Sequence, residues 1–279
     1  MHGDICKIDD LKKATEDVES VVLLAGLVGD PITKKYPEES KFINYDGIQK
    51  TISYISNTNH IKKFIFVSTC SNYGVLKDNI KATEDTPLNP VSDYSAAKVM
   101  AENLILKNHD TSKKNYILRF ATAFGFSNRM RFDLTINEFT RELYLYKKLK
   151  IFDQNSWRPY CHTDDFAKII YRLLETNSLN GSLRTYNIGS NMNNATKKNI
   201  VDLLSNKFKN LNLEFLEKGV DIRNYMVSFN KLKNDFPNIS FKSIEEGIDE
   251  IIFYLNKSYF DDFDNNKKFY GNYSIRYPI

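Results

Sequence analysis

The first half of the chain alternates apolar strand-like segments with helix-like segments, and this alternation is the strongest constraint on its fold. Strands are predicted near residues 21–25, 64–67 and 116–120. Helices are predicted near residues 41–58, 92–108 and 135–147. Parallel strands need a crossover helix between them, so this order predicts an α/β fold built on a parallel sheet. Ligands of such sheets bind at the carboxyl ends of the strands.

Tyr94 and Lys98 stand four residues apart at the start of the second predicted helix. This spacing places both side chains on one helical face, where an ammonium group can stabilise a phenolate and lower the tyrosine pKa from about 10 toward neutral pH. Such a tyrosine can act as acid or base on a sugar hydroxyl while a hydride moves on the carbon beneath it. The same spacing also arises where a lysine stem merely packs on a ring.

A polar segment follows the strand predicted at 64–67. Ser68 and Thr69 come directly after the apolar run that ends at Val67. Their hydroxyls therefore fall at the carboxyl edge of the sheet, where open α/β sheets place ligands. This position favours the catalytic interpretation of Tyr94 and Lys98.

Several further segments occur with these residues in a characteristic order and spacing. They are Gly3–Ile5, Leu24–Gly26, Asn44, Arg119–Gly125 and Trp157–Asp165. On these segments the chain resembles the extended short-chain dehydrogenase/reductases, specifically the NAD-dependent nucleotide-sugar epimerases and dehydratases, as far as about Asn256. The resemblance implies a Rossmann-like parallel sheet lacking its first βα units, with a smaller α+β substrate domain.

The resemblance also implies a role for particular residues. Thr69 is the implied hydroxyl partner, Tyr94 the acid/base and Lys98 the group that tunes it. The implied contacts to NAD or NADP are Asp4, Ile5, Leu24, Ala25, Gly26, Asn44, Tyr94, Lys98, Phe120 and Thr122. The implied contacts to a nucleotide-sugar are Thr69, Arg129, Asn137, Arg158 and Arg223. The family further implies a homodimer that pairs the helix at 92–108 with a helix of a second subunit.

The expected Gly-rich turn for the cofactor pyrophosphate is missing from the sequence. Members of the family open with a strand and a G-x-G-x-x-G turn at a helix N-terminus, and about two βα units of ~30 residues each are absent here. Gly26 and Gly29 follow an apolar strand, but Pro31 and a polar stretch come next instead of a helix. We therefore do not assign them as the pyrophosphate turn. Three explanations are open: a genuine loss, the choice of the expressed segment, or a start codon placed too late.

Composition excludes several other classes of protein. The 39 basic and 35 acidic residues give a formal net charge of +4 without a basic face, so a nucleic-acid partner is not expected. The sequence contains neither an apolar run of membrane-spanning length nor a secretory signal. The three widely spaced cysteines and four histidines indicate a reducing cytoplasm, no disulfide framework and no metal site.

Three regions are predicted: a truncated dinucleotide-binding domain at 1–123, a mainly substrate-binding domain at 124–256 with some segments returning to the first, and a tail at 257–279. A helix at 164–176, a strand at 184–189 and a helix near 196–208 fit the second region. Arginine forks suit phosphate oxygens, and the family places such arginines at Arg158 and Arg223. The tail has no periodicity, so it either packs back on the protein or is mobile.

The reaction is narrowed by the residues that follow Thr69. The 4,6-dehydratases of the family carry Asp-Glu there, whereas this chain has Cys70 and Ser71, which cannot supply carboxylate chemistry. The favoured reaction is hydride transfer at C4 of a nucleotide-activated sugar, with or without epimerisation. The resemblance points to a GDP-linked or related sugar for bacterial surface polysaccharide synthesis. The alternative is a non-catalytic subunit that binds a sugar nucleotide and has lost its cofactor cradle.

Overall fold

The computed structural model describes residues 1–77, 80–176, 179–217, 223–275 and 277. In chain order its strands are β1 (Ser20–Leu23), β2 (Lys63–Thr69), β3 (Lys81–Ala82), β4 (Lys114–Phe120), β5 (Thr122–Phe124), β6 (Lys148–Phe152), β7 (Trp157–His162), β8 (Leu183–Ile188), β9 (Asn194–Thr196), β10 (Asn212–Leu216) and β11 (Met226–Val227). Its helices are α1 (Ile8–Thr15), α2 (Asp30–Lys35), α3 (Pro37–Ser40), α4 (Ile48–Ser56), α5 (Asp93–Lys107), α6 (Thr135–Tyr146), α7 (Thr163–Glu175), α8 (Lys197–Lys207), α9 (Asn230–Asp235) and α10 (Ile244–Asn256).

A four-stranded parallel sheet with the order β1-β2-β4-β8 forms the frame of the first region. It confirms the predicted α/β fold. Strand β2 has the near-continuous apolar sequence of a strand that is buried on both faces, and it extends to Thr69, which pairs with Phe120. Strand β8 comes from the region at 124–256, so the proposed boundary at 123 separates chain segments that share one sheet. Within the described residues, β1 pairs only with β2 and is an edge of the sheet.

The start of helix α5 is set by the capping residues Ser92 and Ser95. The Ser92 hydroxyl accepts from the backbone N–H of Ser95 at 3.3 Å, and the Ser95 hydroxyl accepts from the N–H of Ser92 at 3.2 Å. These reciprocal bonds form a capping box. Tyr94 therefore lies in the first turn and Lys98 one turn later, as the spacing predicted.

The helix predicted at 41–58 is divided in the structure. Lys41–Gly47 is π-helical and the α-helix α4 follows it. The Asn44 side chain lies in the π-helical part and holds the loop after β1, accepting from Leu27 N at 2.8 Å and donating to Leu27 O at 2.9 Å. Local π-helical turns often accompany functional sites.

The second region has its own apolar core, in which α6, α8 and α10 pack around β5, β6 and β7. Its central members are Phe124, Ile136, Leu143, Ile151, Ile200 and Ile248. The tail packs back onto this core, because Phe260, Phe263 and Tyr270 are buried around the ring of Phe132. Across the described residues, no helix combines the length and apolar character that crossing a bilayer requires.

Candidate active site

A cavity of about 490 Å³ lies at the carboxyl ends of the central strands. It brings together the three predicted catalytic residues, Thr69, Tyr94 and Lys98. It is also lined by the predicted residues Leu24, Phe120, Thr122, Arg158 and Arg223. The edge of the sheet that the topology favours for ligands therefore holds the side chains that the sequence motifs singled out.

The other predicted site residues do not line this cavity. They are Asp4, Ile5, Ala25, Gly26, Asn44, Arg129 and Asn137. Asn137 is buried and joins two loops, accepting from Gly125 N at 3.0 Å and donating to Arg131 O at 3.0 Å. Arg129 donates to the tail, at Gly271 O (3.3 Å) and Asn272 Oδ1 (3.1 Å). Their predicted ligand contacts remain predictions.

Thr69 and Lys98 are held beside Tyr94 by hydrogen bonds to the backbone of β2 and of the segment that follows it. The Thr69 hydroxyl oxygen accepts from Ser71 N at 3.1 Å, which leaves its proton free to point elsewhere. Lys98 Nζ donates to Val67 O at 2.8 Å, lies 4.8 Å from the centroid of the Phe66 ring and 6.0 Å from that of Tyr94. The ammonium thus lies beside the tyrosine ring while its hydrogen bond is made to strand β2.

The pKa of Tyr94 differs from the sequence-based expectation. Burial of the half-buried ring raises it well above its ordinary value, and the carboxylate of Asp30 raises it further. Arg131 and a hydrogen bond with Thr69 act in the opposite direction without outweighing burial. The prediction that Lys98 lowers this pKa toward neutral is wrong for this state of the protein, and Tyr94 is a protonated phenol at neutral pH.

Lys98 itself is easier to deprotonate than an ordinary lysine. Burial lowers its pKa to about 8, although the carboxylate of Glu102, one helical turn away, favours the charged form. Lys98 therefore keeps most of its charge at pH 7. The site holds a neutral phenol beside a cation.

A buried polar network supports the floor of the cavity. Arg119 NH2 donates to Glu102 Oε2 at 2.8 Å, and Arg119 NH1 donates to the Tyr73 hydroxyl at 2.9 Å. Glu102 also accepts from Asn72 Nδ2 at 2.8 Å and from the hydroxyl of Ser68. Burial alone would lower the pKa of Arg119, but the hydrogen bonds and charge of Glu102 raise it above its ordinary value. This network fixes α5 to the ends of β2 and β4.

Polar side chains of α2 and of the segment before β11 form one wall of the cavity. Arg223 NH1 lies 3.1 Å from Asp30 Oδ2 and donates to Ser71 Oγ at 3.3 Å. Arg158 is buried, donates to Trp157 O at 2.7 Å and also to Arg223 O, and lies over the Tyr225 ring at 5.4 Å. Two guanidinium groups and one carboxylate therefore border the same space.

The two residues after Thr69 carry no acid. Cys70 is buried with its thiol directed to Arg119 O at 3.1 Å, and burial raises its thiol pKa. Ser71 accepts from Arg223 at the cavity wall. Neither offers a carboxylate at this position.

The tail contributes to the cavity, which the sequence patterns did not reveal. Asn272 and Tyr273 line it. Asn272 Nδ2 donates to Val28 O at 2.7 Å, and Asn272 N donates to Asp133 Oδ2 at 3.1 Å. Lys35 Nζ donates to Tyr273 O at 2.9 Å. The part of the tail at 271–273 thus bridges the loop before α2 and the loop before α6.

One further cluster of titratable groups lies outside the cavity. In the described part of the chain, His162, Asp164 and Glu250 are close enough to share an ion. The ammonium of Lys242 already lies 2.8 Å from Asp164 and 2.9 Å from Glu250. His162 Nδ1 also accepts from Asp164 N at the start of α7. The ammonium of Lys242 thus lies between the two carboxylates, and His162 caps the start of α7.

Comparison with known proteins agrees with this architecture. A sequence profile of the NAD dependent epimerase/dehydratase family matches residues 1–189. The UDP-glucose 4-epimerase of Lactobacillus helveticus is 30% identical over 90 residues, which are 32% of this chain and 27% of that protein's length.

Two solved structures share the fold over almost the whole chain. UDP-glucuronic acid 4-epimerase from Bacillus cereus, in complex with UDP-glucuronic acid and NAD, is 25% identical with a TM-score of 0.80, over 92% of this chain and 81% of that one. The NAD complex of dTDP-glucose 4,6-dehydratase from Bacillus anthracis str. Ames has a TM-score of 0.77 at 24% identity, over 93% and 80% of the two chains. With the profile match across more than half of its length, the chain belongs to the NAD dependent epimerase/dehydratase family.

Proposed function

We propose that this protein transfers a hydride reversibly at C4 of a nucleotide-linked hexose with NAD or NADP, and thereby epimerises the sugar. The observation that carries the proposal is the meeting of Thr69, Tyr94 and Lys98 in one cavity that Arg158 and Arg223 also line. An acid/base beside a cation suits proton exchange with a sugar hydroxyl. Paired guanidinium groups suit a diphosphate.

The chain's own groups account for the proton transfers. Tyr94 carries a proton at neutral pH, so it must release that proton to solvent before it can act as the base that takes the 4-hydroxyl proton while hydride leaves C4. The phenol formed in that step then returns a proton to the oxygen of the 4-keto sugar when hydride is delivered back to C4. The Thr69 hydroxyl accepts from Ser71 N and has its own proton to donate to the same sugar oxygen. The nicotinamide ring supplies the hydride acceptor and donor when the cofactor is bound.

The cavity fits the nicotinamide half of the cofactor better than its pyrophosphate half. Leu24, Phe120 and Thr122 line the cavity beside Lys98, and these are residues that would hold the nicotinamide ribose and ring. No G-x-G-x-x-G turn occurs in the chain, so no group in it is assigned to the pyrophosphate. Asp4 lies outside the cavity, and its carboxylate accepts from Cys6 N at 2.9 Å and from the Tyr277 hydroxyl at 3.1 Å.

The proposed substrate is a UDP-linked sugar in place of the GDP-linked sugar considered from the sequence. The epimerases described above are named for UDP-glucose and UDP-glucuronic acid. Dehydration is not proposed, because Cys70 and Ser71 stand where elimination needs carboxyl groups. The non-catalytic alternative is less favoured, because a binding subunit has no need for a threonine, tyrosine and lysine assembled in one cavity.

The proposal is tested by incubating the protein with UDP-glucose or UDP-galactose and either NAD or NADP. Interconversion of the two sugars is followed by proton NMR of the sugar anomeric signals. Formation of the C4 epimer supports the proposal. Tight binding of the sugar nucleotide without any turnover, at saturating cofactor, would favour the non-catalytic alternative.

Removing either wall arginine is expected to weaken sugar-nucleotide binding. Charge-assisted hydrogen bonds contribute about 1.5–3 kcal/mol, so Arg158→Ala and Arg223→Ala are each expected to raise the Kd of UDP by at least about tenfold in titration calorimetry. Arg172→Ala is the matched control, because Arg172 is exposed on α7. If the wild type and the three variants bind UDP with equal affinity, Arg158 and Arg223 do not bind the diphosphate.

We also propose a homodimer in which α5 pairs with a helix of a second subunit. Leu106 supports this pairing, because it lies on α5 with 49% of its surface exposed. Sedimentation velocity is expected to give the dimer mass, and Leu106→Lys is expected to shift it toward the monomer. A wild-type protein that sediments as a monomer at micromolar concentration would contradict the pairing.

A further inference from the structure

Within the part of the chain that the structure describes, one carboxylate oxygen of Asp30 has no hydrogen-bond partner. Gly29 precedes it with φ of +108°, a conformation that favours glycine, and this turn directs the first residue of α2 into the cavity. Asp30 Oδ2 lies 3.1 Å from Arg223 NH1. Asp30 Oδ1 is buried and accepts no hydrogen bond from any group that the structure describes.

An unpartnered buried carboxylate oxygen is costly, and such atoms are rare in folded proteins. A carboxylate is an acceptor only, so the missing partner must be a donor. The oxygen lies in the wall of the cavity that holds Tyr94, and the effect of Asp30 on the Tyr94 pKa places its charge near the reacting end. A ligand hydroxyl that reaches Tyr94 would lie in the same cavity as this oxygen and is a donor of the kind it lacks.

We propose that Asp30 accepts a hydrogen bond from a hydroxyl of the substrate's sugar ring and makes the site select neutral hexoses over hexuronates. This inference rests on the proposed function, which places the sugar against Tyr94. The carbons on either side of the hexose ring's C4 carry the 3-hydroxyl and the C6 substituent. A neutral hexose offers a hydroxyl on both, whereas a hexuronate offers a carboxylate at C6.

Two ion pairs border the space beside Tyr94, Arg223 with Asp30 and Arg131 with Asp133, so both of these guanidinium groups already face a carboxylate. The guanidinium of Arg223 already pairs with Asp30, so one of the two cations of this wall is partly neutralised. A second carboxylate placed against Asp30 would meet a like charge and could not donate a hydrogen bond to it. Rejection of the uronate and recognition of the hydroxyl thus come from the same carboxylate.

The inference is tested by titration calorimetry with three ligands, UDP, UDP-glucose and UDP-glucuronic acid, on the wild-type protein and on Asp30→Asn. The wild type is expected to bind UDP-glucose more tightly than UDP-glucuronic acid. Asp30→Asn keeps the shape and an acceptor oxygen but removes the charge, so the preference is expected to fall by about tenfold or more. The affinity for UDP itself is expected to change less than the affinity for UDP-glucose, because UDP has no sugar hydroxyl to reach Asp30 and is affected only through the ion pair of Asp30 with Arg223.

A second variant separates loss of the contact with the sugar from a general loss of folded protein. Asp30→Glu keeps the charge but moves the oxygens, so it is expected to lose affinity for UDP-glucose while still rejecting UDP-glucuronic acid. Equal losses for UDP and UDP-glucose would overturn the inference, because Asp30 would then act on the diphosphate through Arg223. An unchanged preference in Asp30→Asn would overturn it as well. A wild type that binds neither UDP nor its sugars would overturn the proposed function, and the inference with it.

Discussion

Replacing Tyr94 with phenylalanine is expected to lower kcat for the interconversion of UDP-glucose and UDP-galactose by a factor of about 10² to 10⁴. The variant loses only the hydroxyl that exchanges a proton with the sugar oxygen, while the ring that lines the cavity stays. The Kd of UDP is expected to change little, because the diphosphate is assigned to the arginine wall. Initial rates and calorimetry on the same preparations separate the two effects.

Tyr45 provides a matched control for this substitution. Its hydroxyl donates to the backbone oxygen of Asp93, the residue before Tyr94, at 3.4 Å, but it does not line the cavity. Tyr45→Phe is therefore expected to keep the wild-type rate. Wild-type turnover by Tyr94→Phe would exclude Tyr94 as the acid/base.

Breaking the buried ion pair below the cavity is expected to have the largest effect on stability. Glu102 is 1% exposed and Arg119 is 6% exposed. Glu102→Ala leaves the Arg119 guanidinium charged and buried, which typically costs about 3–5 kcal/mol. The free energy of unfolding, measured by urea denaturation, is expected to fall by that amount.

The control for Glu102 is an acidic residue of a surface ion pair. Asp202 pairs with Lys198 on α8, and both side chains are about half exposed. Asp202→Ala is expected to cost less than about 1 kcal/mol. A loss of similar size in the two variants would mean that water reaches the Glu102 and Arg119 pair.

The parts of the fold with strong local signals were predictable from the sequence. Strands β2 and β4 are apolar runs, and the capping serine of α5 precedes a helical pattern, so their positions agree with the structure to within a few residues. The meeting of Thr69, Tyr94 and Lys98 was also predictable, because carboxyl ends of parallel strands share one edge.

Other features of the site depend on contacts between distant segments. Asp30 pairs with Arg223, which lies nearly two hundred positions later in the chain, through one carboxylate oxygen. That its other oxygen has no partner is likewise seen only in the folded structure. No periodicity in the tail indicates that Asn272 reaches the cavity. The raised pKa of Tyr94 was missed because burial, which spacing along a helix does not reveal, outweighs the neighbouring charges.

The bridge formed by the tail has a consequence for motion between the two regions. Asn272 is bonded to Val28 beside the central sheet and to Asp133 before α6, so opening the cavity by hinge rotation must break at least one of these bonds. The rate at which ligands enter and leave the cavity is then coupled to the detachment of the tail segment at 271–273. In enzymes whose turnover is limited by opening of the site, a segment placed in this way sets the rate by its detachment and not by the chemistry.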